Sequence, residues 1–338
     1  MAHLVENMIS TKGQVPWHGL GVIVDKELVT AEEIIKAIGF DFDVIKRQNI
    51  VPLNRNGQNV NVALDDSYSI IRVNKDGAES VLWGRAGRQY TPIQNRSGFS
   101  FFDNVVGKGE AIYETAGILK HGRCVFLLAS MPEYIKILGH EEDAIRPYVL
   151  LANWHDGTSQ LLAMFTGVRV VCNNTLNAAL ANCQSQVAIR HTASAEEKLK
   201  EAAKVMGLVN QYNLEMGKVF NQMALAKVTT DEILSYVRSL WLVDEKATDR
   251  QKENAKDREE DILMLAEKGH GADLDTARGT VWGAYNAVVE YVDHAMNYRS
   301  DDSRATSLFV GQARQIKQAA YEQAAMISAF KQPVNNLN

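Results

Sequence analysis

The chain has 338 residues, 46% of them hydrophobic, a formal net charge of -5 and three cysteines. It has no run of about eighteen apolar residues that could cross a membrane, and its N-terminus, MAHLVENMIST, lacks the charged-then-apolar layout of a signal peptide. The acidic balance argues against an overtly basic nucleic-acid binder, and the odd set Cys124, Cys172 and Cys183, each in an apolar context, points to buried free thiols in a reducing cytoplasm.

Charge is nevertheless unevenly spread. Lys46–Arg123 holds eleven Lys/Arg against seven Asp/Glu, and Met164–Arg190 holds two Arg and no acid. The acidic excess lies mainly in the C-terminal half, so a basic groove on the N-terminal half remains compatible with the global charge.

In chain order, Pro16-Trp17-His18-Gly19-Leu20-Gly21 suggests a sharp turn pressed against the body. It is no phosphate loop, because the third glycine and the strand–helix context are missing. Thr30 with Glu33 three residues on makes a capping box for a helix over Ala31–Ile38, and Gly39 suits a left-handed stop. From Phe40 to Gly84 apolar residues alternate between the turns Asn54-Arg55-Asn56-Gly57 and Asn74-Lys75-Asp76-Gly77, which predicts an antiparallel meander. A loop, Arg85–Ile93, precedes a helix over Asn95–Val106. A hairpin then joins Ala111–Gly117 to Arg123–Ala129 across Lys120-His121-Gly122. Met131–Arg146 reads as a polar excursion.

Tyr148–Cys183 is the most patterned stretch. Asp156-Gly157 between two apolar runs signals a hairpin. From Val168 the spacing changes: Val168, Val171, Cys172, Thr175, Leu176 and Ala179 recur at three and four, which predicts a helix. Arg169, Asn173 and Asn177, with Asn174 beside them, share another face of that helix. Their polar groups bind a ligand or bond to neighbouring backbone, and the sequence leaves both open. Ser185–Thr192 reads as one more strand.

Composition changes at Ser194. The chain becomes almost free of proline, and helices are predicted near Ala195–Ala226, Thr230–Leu240, Asp249–Lys268, Thr276–Tyr298 and Ser303–Phe330. The layout is α+β: an antiparallel, β-rich N-terminal half with interspersed helices, then an α-helical C-terminal half. Two domains are expected, 1–192 and 193–338.

Four groups of residues are candidates for chemistry. Arg85, Arg88 and Arg96 with Tyr90 form a basic and aromatic stretch. Basic side chains follow a phosphate backbone and an aromatic ring stacks on unpaired bases, whereas an ordinary charged loop would give the same composition. Arg169, Asn173 and Asn174 supply donors and acceptors suited to phosphate oxygens and base edges. His155-Asp156 with His191 could serve metal or acid–base chemistry, but Asp156 stands where a turn wants Asp, and the turn is favoured. Glu290, Asp293 and His294 lie within one helical turn and would suit a metal-dependent nuclease, with a buried structural ion pair or a hydrogen-bonded histidine the favoured reading. No metal and no cofactor is otherwise expected. The acids Asp249, Glu253, Asp257 and Asp261 repeat at four and read as a solvated helix face.

Several short motifs resemble one family in order along almost the whole chain. They are Pro16–Gly21, Tyr90–Asn95, Tyr113–Gly117, His155–Gly157, Val168–Leu176, Arg190–Thr192, Gly279-Thr280 and Glu290–His294. The chain resembles the phage/plasmid-like proteins that carry the domain of unknown function 932. That resemblance implies a protein of phages, prophages and plasmids and implies no chemistry. The outline of antiparallel hairpins followed by a helix also looks like the single-strand annealing proteins of phages, which oligomerise and hold single-stranded DNA in a basic groove. The expectation is therefore a non-enzymatic protein that binds and anneals single-stranded DNA as a homo-oligomer in the cytoplasm of a bacterial host. Arg85, Arg88, Arg96 and Arg169 would hold phosphates, Tyr90 would stack, and Asn173 and Asn174 would add hydrogen bonds. The alternatives are a factor that binds a host protein, as in anti-defence, and the nuclease.

Overall fold

The computed structural model describes residues 5–10, 22–23, 30–39, 41–106, 112–131, 134–169, 171, 174–176, 186–206 and 209–331. Pro16–Gly21, Cys172, Asn173, Asn177 and Cys183 lie outside them. The N-terminal half consists of antiparallel sheets with a few helices, and the C-terminal half is helical.

A first sheet joins β3 (Asp43–Arg55), β4 (Gln58–Val73) and β5 (Glu79–Ala86) in that order. Its β3–β4 turn places Asn56 and Gly57 at φ 52° and 82°. Positive φ at both central residues is what a tight hairpin requires, and Asn-Gly tolerates it. A second sheet has the order β11-β10-β9-β7-β6-β1-β2, with β12 on β10 and β8 on β9. Its strands are β1 (Val5–Ser10), β2 (Val22–Ile23), β6 (Ile112–Leu119), β7 (Cys124–Ser130), β8 (Ile135–Ile137), β9 (His140–Trp154), β10 (Leu161–Arg169), β11 (Asn174–Leu176) and β12 (Gln186–Ile189).

The helices are α1 (Ala31–Ile38), α2 (Asn95–Val106), α3 (Ala195–Met206), α4 (Val209–Leu225), α5 (Thr230–Leu240), α6 (Asp249–Lys268), α7 (Val281–Glu290), α8 (Asp301–Val310) and α9 (Gln312–Lys331). Their starts follow local chemistry. Thr30, Thr229 and Thr248 each accept from the backbone three residues on, and each closes a capping box, with Glu33, Glu232 and Gln251. Gly39 ends α1 at φ 76°.

Four expectations from the sequence are corrected. Val168, Arg169 and Asn174–Leu176 are strand, not helix. Gly167, Val168 and Arg169 stand opposite Leu176, Thr175 and Asn174 in an antiparallel ladder, and this pairing overrides the local spacing of three and four. The polar stretch before Arg146 holds the β8–β9 hairpin, turned by Leu138 and Gly139 at φ 51° and 83°. The helix expected from Thr276 starts at Val281 behind the Thr280 cap and closes in a π-helical turn over Tyr291–Ala295. The last long helix starts behind Ser300 and is interrupted at Gly311, where a Cβ would stand 2.8 Å from Ser307 Cα.

The chain forms two compact units. One comprises Met1–Pro132, Val149–Met164 and Gln186–Leu208; the other comprises Glu133–Tyr148, Phe165–Ser185 and Val209–Asn338. The first has Phe99, Tyr113, Phe126 and Trp154 fully buried. The second is built around α7, every residue of which is buried, as an all-round apolar helix requires. Trp282 and Tyr285 of α7 pack with Phe220 and Tyr321 from α4 and α9. Gly283 allows close approach there, since a Cβ would stand 2.1 Å from the Ala277 carbonyl oxygen.

Candidate nucleic-acid interface

In the first unit β5 runs through Ala86, so Arg85, expected to open a loop, stands at the end of a strand, and the loop after it carries Arg88 and Tyr90. Arg85 and Arg88 are exposed. The Arg88 backbone N–H donates to Asp66 Oδ1 at 2.6 Å, and Lys46 Nζ donates to the Arg88 carbonyl at 2.8 Å, so the loop is held from both sides. Gly157 permits another close approach, because a Cβ at its φ of 73° would lie 2.5 Å from the Trp83 ring.

Tyr90 is half-buried. Its ring stacks on His191 with centroids 5.0 Å apart and 6° between planes, and it meets Trp83 edge-on at 5.4 Å. Burial, and then the Asp156 carboxylate, push its phenol far above the usual range, so it stays neutral. Arg96 is exposed and forms an ion pair with Asp41, which also pairs with Lys75. Part of its charge is therefore already answered.

Arg169 is placed in β10 opposite Asn174 of β11, both in the second unit. Asn173 lies outside the described residues. The structure thus brings Arg88 and Tyr90 together on one loop, with Arg85 at the end of the strand that leads into it.

Beneath Tyr90 sits a buried polar cluster of which the sequence displayed the members and not the meeting. His191 is brought beside Tyr90 by the Thr91 N–H bond to its carbonyl, at 2.9 Å, and His155 lies edge-on to it at 5.6 Å. Ile93 sets the chemistry of both rings. Its N–H donates to His191 Nδ1 at 3.0 Å, so the neutral His191 ring carries its proton on Nε2. Its carbonyl accepts from Asn153 Nδ2 at 3.0 Å, which orients that amide. The same amide donates to Asn95 Oδ1 at 3.3 Å, and this oxygen accepts in turn from His155 Nε2 at 2.9 Å. His155 therefore keeps its Nδ1 lone pair.

Burial, with His191 nearby, holds the His155 pKa well below its ordinary value. Burial lowers His191 to about 4, with the Trp154 carbonyl offsetting part of the effect. Both rings are neutral at pH 7 and act as a polar floor for Tyr90. Arg123 and Arg190, the exposed neighbours of this floor, were not singled out as ligands in the sequence. Arg190 precedes His191, and the Arg123 carbonyl accepts from the His155 N–H at 2.7 Å. Their signal was present only as two strand ends, and nothing local shows that these converge. Asp156 accepts from the Thr158 backbone at 3.1 Å and from its hydroxyl, which is the turn role expected of it.

In the second unit Asp293 and Lys317 form a fully buried pair at 2.8 Å, and Arg304 donates to the Asp293 carbonyl. Glu290 accepts from His270, from its ring at 2.8 Å and its backbone at 3.3 Å. Burial lowers the His294 pKa. Among the described residues no three His, Cys, Asp or Glu side chains are grouped to hold a metal ion.

The fold and this loop define an α+β protein that presents a basic, aromatic surface above a neutral imidazole floor. The chain belongs to the family of the domain of unknown function DUF932, whose model matches residues 83–309. No curated protein and no solved structure matches it. Among the described residues no helix is long and apolar enough to cross a membrane.

Proposed function

We propose that this is a phage- or plasmid-encoded protein that binds and anneals single-stranded DNA, works as a homo-oligomer in the cytoplasm of its bacterial host and takes part in DNA recombination. The observation that carries this reading is the exposed pair Arg85 and Arg88 beside Tyr90. Cations that track a backbone, next to an aromatic face, suit an unpaired strand. Annealing needs no nucleophile, metal or cofactor; it needs strands held with their bases available. Arg123 and Arg190 extend the path, Arg96 contributes less because Asp41 answers it, and Arg169, Asn173 and Asn174 would add contacts from the second unit.

The test is fluorescence anisotropy with a labelled single strand across a salt series. Arg85→Ala with Arg88→Ala should weaken binding at least tenfold and leave the melting temperature unchanged. The dependence of log K on log salt should flatten by about 1.4, two contacts at about 0.7 each on a single strand. Unchanged affinity in that folded variant removes the assignment.

One observation favours a second reading, a factor that binds a host protein. Asp249, Glu253, Asp257 and Asp261 are all exposed along α6, an acidic stripe suited to a basic partner. Stoichiometric capture of one host protein, together with no DNA affinity at low salt, would select it.

A further inference from the structure

Between α5 and α6 the second unit holds a groove that uses none of the residues assigned to DNA. α5 ends after Leu240, and α6 begins behind the Thr248 cap. Residues 241–247 turn between them because Asp244 gathers two backbone donors. Its Oδ1 accepts from the Lys246 N–H at 2.8 Å, and its carbonyl accepts from the Ala247 N–H at 2.9 Å. Trp241, Asp244, Lys246, Gln251, Asn254 and Arg258 line the groove, whose volume is about 500 Å³. That volume is in the range of small-molecule sites.

The α6 wall of the groove is not the acidic stripe. Gln251, Asn254 and Arg258 recur at three and four and share one face, whereas Asp249, Glu253, Asp257 and Asp261 repeat at four on another. Arg258 lies over the half-buried Trp241 ring, 5.0 Å from its centroid, and Tyr291 meets that ring edge-on at 6.1 Å. The carboxylates that follow Arg258 are taken, Glu259 by Arg238 and Glu260 by Lys256. Gln251 Oε1 accepts from the Thr248 N–H at 2.9 Å and from its hydroxyl at 3.0 Å, which leaves the Gln251 N–H groups for the groove. The cations Lys246 and Arg258 outnumber the one lining carboxylate, Asp244, which already has an oxygen engaged.

We propose that this groove binds a ribonucleotide. Trp241 with a guanidinium stacked on it makes a wall for a planar base. Lys246 and Arg258 answer a phosphate. The second Asp244 oxygen suits the hydroxyls of a ribose. Asn254 offers a donor and an acceptor together, the pair that an adenine edge matches. An apolar ligand would strand these polar groups, and a basic peptide would meet two like charges. The groove shares no residue with the Arg85 and Arg88 surface, so the two readings fail independently.

Equilibrium dialysis of the full chain against adenosine 5′-monophosphate at low salt tests it. The nucleotide should bind. Adenosine, which lacks the phosphate, and ribose 5-phosphate, which lacks the base, should each bind about tenfold more weakly or worse. Arg258→Gln should weaken the nucleotide about tenfold and adenosine less. Asn254→Ala, at an exposed position, should weaken both with an unchanged melting temperature. A single-stranded oligonucleotide that displaces the nucleotide assigns the groove to one unit of a strand, and one that does not assigns it to a free nucleotide; either result keeps the site. Equal binding of ribose 5-phosphate leaves an anion site and overturns the nucleotide. No binding by the wild-type chain, or undiminished binding by folded Arg258→Gln, overturns the site and leaves DNA binding to be judged on Arg85 and Arg88.

Discussion

Asp293 and Lys317 show what one residue contributes to the second unit. Both side chains are fully buried and 2.8 Å apart. Removing one partner of such a pair strands a charge in low dielectric, at a cost of about 3–5 kcal/mol, whereas replacing both with apolar groups can be nearly neutral. Lys317→Met should therefore lower unfolding stability by about that amount in a denaturant titration, and adding Asp293→Leu should recover most of it. Recovery would establish the pair as structural. The sequence placed Glu290, Asp293 and His294 within one helical turn but could not show that α9 brings a lysine to one of them and that His270 takes another. Sequence spacing reveals which groups share a face and not what stands opposite.

Element by element, agreement was close wherever local chemistry decides. Thr30 with Glu33 named the start of α1, because a capping box is written in four consecutive residues. Asn56-Gly57 likewise named a hairpin. Val168, Arg169 and Asn174–Leu176 were misread because the apolar spacing around them fits a helix, and the choice rests with a ladder partner that the local pattern does not name. The convergence of His155, His191 and Tyr90 was hidden for the same reason: three distant segments meet. The caps carry measurable weight. Thr229→Ala should cost about 1 kcal/mol, since it leaves the Glu232 N–H without its side-chain acceptor. Thermal melts of Thr229→Ala and of Thr229→Asn, which keeps an acceptor, should separate the cap from the loss of a methyl.

At the scale of the whole molecule, the imidazole floor makes folding depend on pH. An unfolded histidine takes its proton near 6.5, but folded His191 does so only at about 4. Between those values the unfolded chain binds more protons, so stability falls as pH drops through the window and levels off below it. The loss from His191 is about 3 kcal/mol. Unfolding at pH 7.5 and 4.5 should show it, and His191→Phe, which keeps a ring beneath Tyr90, should reduce the difference. The division into two interleaved units has a further consequence, in time. Asp143, buried near the start of β9, accepts from Thr276 and from Trp282 Nε1, residues 133 and 139 positions later. A ribosome adding roughly 5–20 residues per second therefore releases Asp143 roughly seven to twenty-eight seconds before Trp282 exists to bond it. The second unit is completed only late in synthesis, and a nascent chain stalled ahead of α7 presents that half of the strand to chaperones without the donors that hold it.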